Sequence, residues 1–181
     1  MPAVRPLPGA LTRMLFWFIG TALVTVWYVF TDPRFDYRLL FVGAVLPDLI
    51  DVPGGQARWA HSLTVAVGTL ALVMLVTAGR KPIRRLLLGL PIGMLLHLVF
   101  DGAFASTKVF WWPFSGSWGD VQVPSLERAL WLNVLMELAG LAMLGWAYRR
   151  FDLSDPSRRT QFLHQGTFTD MGPTATRGPR V

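Results

Sequence analysis

Apolar residues run in long, nearly unbroken stretches along this chain. Residues 14–30 (MLFWFIGTALVTVWYVF) carry no charge, and residues 61–78 (HSLTVAVGTLALVMLVTA) carry only His61, at their start. Residues 86–104 form a third run holding Pro91, His97 and Asp101, and residues 129–148 a fourth, with Asn133 and Glu137 inside it. Each has the length at which a helix, rising 1.5 Å per residue, crosses a hydrocarbon layer of about 30 Å. A fifth run, residues 37–50 (YRLLFVGAVLPDLI), is shorter, interrupted by Pro47 and closed by Asp48 and Asp51. Strands do not fit, because the runs are continuous, rich in Leu, Ala and Met, and too long. The pattern predicts an all-α, polytopic membrane bundle of about four transmembrane helices plus one short re-entrant or interfacial helix.

Composition agrees. The chain has 181 residues, of which 52% are hydrophobic and only 15% charged, where a soluble domain carries about a quarter. The bundle is expected to occupy residues 1–150. Residues 151–181, with Arg158 and Arg159 followed by Ser, Thr, Gly and Pro, read as a disordered basic tail that buries too little surface to fold. The formal net charge is +6, with basic residues near the N-terminus, at 80–85 and in the tail. That clustering points to membrane topology, with the lipid bilayer as partner, and no nucleic acid is expected. Residues 14–30 are followed by Thr31-Asp32-Pro33-Arg34 and no small-x-small cleavage signal, so the segment reads as a retained anchor.

Loop charge sets the expected orientation in the plasma (inner) membrane. Arg80, Lys81, Arg84 and Arg85 form the densest basic loop and belong in the cytoplasm. Counting outward from there, with Arg5 and Arg13 also inside, places both termini in the cytoplasm. Residues 37–50 then start and finish outside. The rival path has five crossings and an external N-terminus.

On this path the ionisable groups gather at the extracytoplasmic end. Asp48 and Asp51 lie three residues apart, His97 and Asp101 four apart, so each pair shares a helix face. His61 opens the next run, and Glu137 lies at nearly the depth of His97, with Asn133 on its own face. An ionisable side chain near a bilayer costs several kcal/mol unless it is paired, solvated or bound to metal. The set Asp48, Asp51, His61, His97 and Asp101 therefore reads as a candidate divalent-metal site, zinc first. Having no cysteine, the chain can hold a metal only through carboxylate and imidazole. Asp48 or Glu137 is the candidate general base, and Arg58 a candidate partner for an anionic leaving group. The bland readings are interfacial helix ends for the aspartates, a buried hydrogen-bonded pair for His97 and Asp101, and helix–helix glue for Glu137 and Asn133. Trp111, Trp112 and Trp118 read as an interfacial aromatic belt, and Gly89 and Gly93 around Pro91 as a packing patch.

Four segments, Gly43-Ala-Val-Leu-Pro-Asp-Leu-Ile-Asp51, Arg58-Trp-Ala-His61-Ser62-Leu63, Gly93-Met-Leu-Leu-His97-Leu-Val-Phe-Asp101 and Phe110-Trp-Trp-Pro-Phe114, resemble in order and spacing the YdjM-like family. The match spans about residues 40–115. The resemblance implies an inner-membrane metal-dependent hydrolase with Asp48, Asp51, His61, His97 and Asp101 at the metal and catalytic positions. By analogy with zinc phospholipase C and P1 nuclease, it also implies phosphodiester or lipid-like substrates. Many members carry His-Arg-Gly ahead of the His-Ser pair, where this chain has Gln56-Ala57-Arg58. One ligand is thus missing, which points to a mononuclear or degenerate site. The contrasting expectation is a non-catalytic accessory or scaffold protein with a structural polar cluster.

Overall fold

Helix is the only regular structure among the described residues (14–30, 32, 35–51, 57–116 and 128–168) of the computed structural model. Seven α-helices follow in order: α1 Leu15–Phe30, α2 Tyr37–Asp51, α3 Leu63–Val76, α4 Lys81–Asp101, the short α5 Thr107–Phe110, α6 Leu130–Arg150 and α7 Pro156–Gln165. Single 3-10 turns, Trp59–His61 and Ala103–Ala105, lead into α3 and out of α4. Local chemistry sets the ends. The Ser62 hydroxyl accepts from the Val65 amide and caps α3, and Gly102, at φ 74°, ends α4 in the left-handed conformation that glycine adopts without strain. Helices α4 and α6 are long and apolar enough to cross a membrane, while α1 and α3 are shorter apolar helices.

Small residues decide which helices pair. A Cβ on Gly89 would come within 2.8 Å of the Leu40 amide nitrogen, and one on Gly93 within 2.6 Å of that of Ala44. α2 and α4 thus meet backbone to backbone, the contact that small residues permit. Along this seam Gly89 faces Leu40, Gly93 faces Ala44, and His97 reaches the Ala44 carbonyl. Both numberings climb together, so α2 runs parallel to α4. α1 and α6 are parallel in the same way. Gly20 packs on Gly140, and Trp27 meets Trp146 one or two turns further along.

This differs from the expected path. Residues 37–50 do not turn back at one end of the bundle; they travel beside α4 and finish with it. α1 also starts, not ends, at the end where α4 finishes, since the Trp17 indole donates to the Phe100 carbonyl and Phe18 lies on the His97 ring. The start of α1 and the end of α6 therefore occupy opposite ends of the bundle.

The tail reading fails as well for residues 156–168. Asp155 caps α7 through the Ser157 amide, Pro156 opens it, and Gly166, at φ 70°, closes it. Phe168 is buried, stacked between Phe151 and Phe162 at centroid distances of 4.1 and 4.8 Å. The Arg38 guanidinium donates to the Leu163 and His164 carbonyls, and the Tyr37 amide to that of Gly166. Residues 169–181, and Trp118, lie outside the described residues.

Candidate metal centre

Three elements deliver the polar cluster to one end of the bundle. Asp48 and Asp51 come from the last turn of α2, His61 from the 3-10 turn before α3, and His97 and Asp101 from the end of α4. Phe18 of α1 closes one wall, its ring tilted on that of His97 at 4.0 Å.

Both imidazoles are held by their Nδ1 atoms. His61 Nδ1 is 2.8 Å from Asp51 Oδ2, and His97 Nδ1 is 2.8 Å from the Ala44 carbonyl oxygen. A carboxylate and a carbonyl only accept, so each Nδ1 carries a proton, and each Nε2 offers a lone pair whenever its imidazole is neutral. The two Nε2 atoms face each other at 3.4 Å. Asp48 Oδ1 completes a triangle, 3.3 Å from His61 Nε2 and 3.6 Å from His97 Nε2. Two lone pairs and a carboxylate oxygen converging this closely repel one another unless positive charge, a proton on His61 Nε2 or a metal ion, stands between them. Bonds of about 2.0–2.1 Å to a tetrahedral zinc place neighbouring donor atoms roughly 3.3–3.4 Å apart, close to the edges of this triangle. Asp48, His61 and His97 could hold a metal ion.

The electrostatics run the same way. Burial opposes a charged His61, yet hydrogen bonds to Asp48 and Asp51 outweigh it and push its pKa up to about 9. Positive charge is therefore favoured at this imidazole between the two carboxylates. Asp48, Asp51 and Asp101 bring three negative charges and Arg128 one positive; with neutral imidazoles, one divalent cation balances the set.

Not every expected ligand reaches the triangle. Asp51 is spent on orientation: its Oδ2 accepts from both His61 Nδ1 and the Arg58 amide. This is the carboxylate–histidine arrangement that fixes a ligand's tautomer and raises its basicity. We expect Asp51→Asn to weaken zinc binding by roughly 10–100-fold while leaving the ligand set intact, measured by competition with a chromogenic chelator. An unchanged affinity would remove Asp51 from any role at the centre. Asp101 is fully buried outside the triangle, within electrostatic reach of Asp48 and His61. Neither of its carboxylate oxygens has a hydrogen-bond partner among the described residues.

Glu137 does not reach the cluster as a base. Its carboxylate accepts from the Phe16 and Trp17 amides in the first turn of α1, at 3.2 and 3.5 Å. There it satisfies helix N–H groups that lack an intrahelical partner and complements the helix dipole. Ser62 is buried and caps α3. The Arg58 side chain is exposed, and its amide rather than its guanidinium meets Asp51. The guanidinium near the cluster belongs to Arg128, a residue the sequence pattern did not single out. Its one signal was position, as an arginine immediately before the last apolar run.

No family model, curated protein or solved structure matches this chain. The chemistry of the centre therefore rests on its geometry.

Proposed function

We propose that this protein is an integral-membrane, metal-dependent hydrolase that opens to the extracytoplasmic side and acts on phosphodiester or lipid-like substrates. The observation that carries this reading is the triangle of Asp48 Oδ1, His61 Nε2 and His97 Nε2, with edges of 3.3–3.6 Å. Three protein ligands around a tetrahedral ion leave one position open, the feature that separates catalytic from structural zinc sites. An ion held there supplies Lewis acidity to a water and brings its pKa towards neutrality. Asp101, with both oxygens free of hydrogen bonds among the described residues, is the carboxylate suited to take the proton, in place of Glu137. The ordered segments that resemble the YdjM-like family support the same reading. The test is zinc analysis of purified protein together with hydrolysis of bis(p-nitrophenyl) phosphate. About one zinc per chain with metal-dependent turnover is expected, whereas zinc without turnover on ester substrates would leave an accessory or scaffold protein.

The membrane part of the proposal is five crossings, α1 to α4 and α6. Its support is the distribution of charge: Arg80, Lys81, Arg84, Arg85, Arg149, Arg150, Arg158 and Arg159 follow or precede helix ends opposite the metal cluster, as a cytoplasmic face requires. Large apolar side chains also face outward on α3 and α6, among them Leu72, Leu75, Leu135 and Leu138. The N-terminus is then external and the C-terminus cytoplasmic. The chain has no cysteine, so single cysteines at positions 4 and 55 can be labelled in intact cells with an impermeant maleimide. Both should react; labelling at 55 alone would restore the four-crossing path.

A further inference from the structure

The structure assigns a second binding element to this centre: we propose that Arg128 holds a phosphoryl oxyanion of the substrate against it. The inference rests on the proposed metal-hydrolase reading and names the group that the site grips. Arg128 precedes α6 and is mostly buried, its side chain 20% exposed. One guanidinium nitrogen, Nη2, is taken up by the Asp101 carbonyl at the end of α4. That bond closes a helix C-terminus and needs only one of the five N–H donors.

The remaining capacity is what points to a ligand. Nη1 is buried without a hydrogen-bond partner among the described residues. The obvious partner is next to it: Nη2 forms an ion pair with Asp101 Oδ1 at 3.5 Å, yet no hydrogen bond joins them, and both Asp101 oxygens lack one. A structural arginine–aspartate pair would close into the two-pronged arrangement that satisfies both groups. Here donor and acceptor stay apart on the side of the cluster, close enough for Arg128 to be felt electrostatically at Asp48 and His97. A tetrahedral oxyanion resolves this. One oxygen accepts from the planar guanidinium fork, which matches phosphate geometry, another turns to the ligand triangle, and Asp101 remains available to a water.

A phosphoryl group can come from a soluble ester or a lipid headgroup, so the test uses two probes. Protein in lipid nanodiscs, with and without one equivalent of zinc, is titrated calorimetrically with inorganic phosphate and, separately, with dihexanoyl phosphatidic acid below its micellar concentration. Wild type, Arg128→Gln and Arg128→Lys are compared, and zinc content and melting temperature are measured for each. Zinc content should be equal in all three. Phosphoryl affinity should fall roughly tenfold or more in Arg128→Gln and less in Arg128→Lys, which keeps the charge and loses the fork. Tighter binding of the lipid probe would mark a headgroup site, and equal or tighter binding of phosphate a soluble ester; either supports the proposal. Equal affinity in wild type and Arg128→Gln, or no binding to wild type, overturns it. So does loss of zinc from a folded Arg128→Lys protein, which would make Arg128 a scaffold residue. If wild type takes up no zinc, the metal reading fails by itself. The metal-free titration then decides Arg128 by the same tenfold criterion.

Discussion

Alanine at position 97 should empty the metal centre. His97 supplies one corner of the donor triangle, 3.4 Å from His61 Nε2 and 3.6 Å from Asp48 Oδ1. Losing an outer partner of a ligand already costs roughly 10–100-fold in metal affinity, so losing a ligand should cost at least about a hundredfold. The expected result is a fall from about one zinc per chain to a trace after dialysis, with phosphodiester hydrolysis abolished alongside. His97 also fills space between Phe18 and the Ala44 carbonyl, donating to the latter, so alanine should lower stability as well. His97→Gln keeps most of the volume and a hydrogen-bonding tip, which separates the two effects: it should restore melting temperature more than zinc. Trp111→Phe, at an exposed ring, should leave the metal untouched. Full zinc occupancy in folded His97→Ala protein would mean that the triangle is a hydrogen-bonded cluster and that the hydrolase reading is wrong.

Cutting the chain after Asp155 should destabilise the whole bundle. The cut removes Phe162 and Phe168 from an aromatic cluster with Tyr37 and Phe151. It also strips the Arg38 guanidinium of its two carbonyl acceptors and the Tyr37 amide of its own. Removing one buried phenylalanine typically costs about 3–5 kcal/mol, and in a chain of this size that corresponds to roughly ten degrees of melting temperature. Phe168→Ala should reproduce most of the loss, and Arg38→Ala a smaller part, because the Arg38 side chain is 40% exposed and water can take the place of its hydrogen bonds. A guanidinium is protonated throughout the accessible pH range, so Arg38 stays charged at any pH used for the measurement. An unchanged melting temperature in detergent would show that α7 does not dock.

Which residues form helices was legible in the sequence. The apolar runs at 14–30, 37–50, 61–78, 86–104 and 129–148 correspond to α1, α2, α3, α4 and α6 within a few residues at their ends, because hydrophobic continuity and helix termination are local properties. The polar positions were legible for the same reason: Asp48, His61 and His97 stand out when so little else in an apolar run is charged. α7 could also have been read, from Asp155-Pro156 at its start and Gly166 at its end. Its composition argued against it, since its stability comes from Phe168 docking on helices far away in the chain.

The direction of α1 and the division of labour among the carboxylates were decided only by tertiary structure. The close approach of Gly20 to Gly140 and of α2 to α4 through Gly89 and Gly93 sets the helix directions relative to one another. Asp48, Asp51, Asp101 and Glu137 are chemically alike in sequence. In the fold Asp48 faces the two histidine Nε2 atoms, Asp51 accepts from His61 and the Arg58 amide, Asp101 is buried without a hydrogen bond, and Glu137 accepts from the first turn of α1. Helix formation is set by neighbours a turn away. Those partners, by contrast, come from residues seven to more than a hundred positions distant, brought together by the packing of helices whose glycines let two backbones touch.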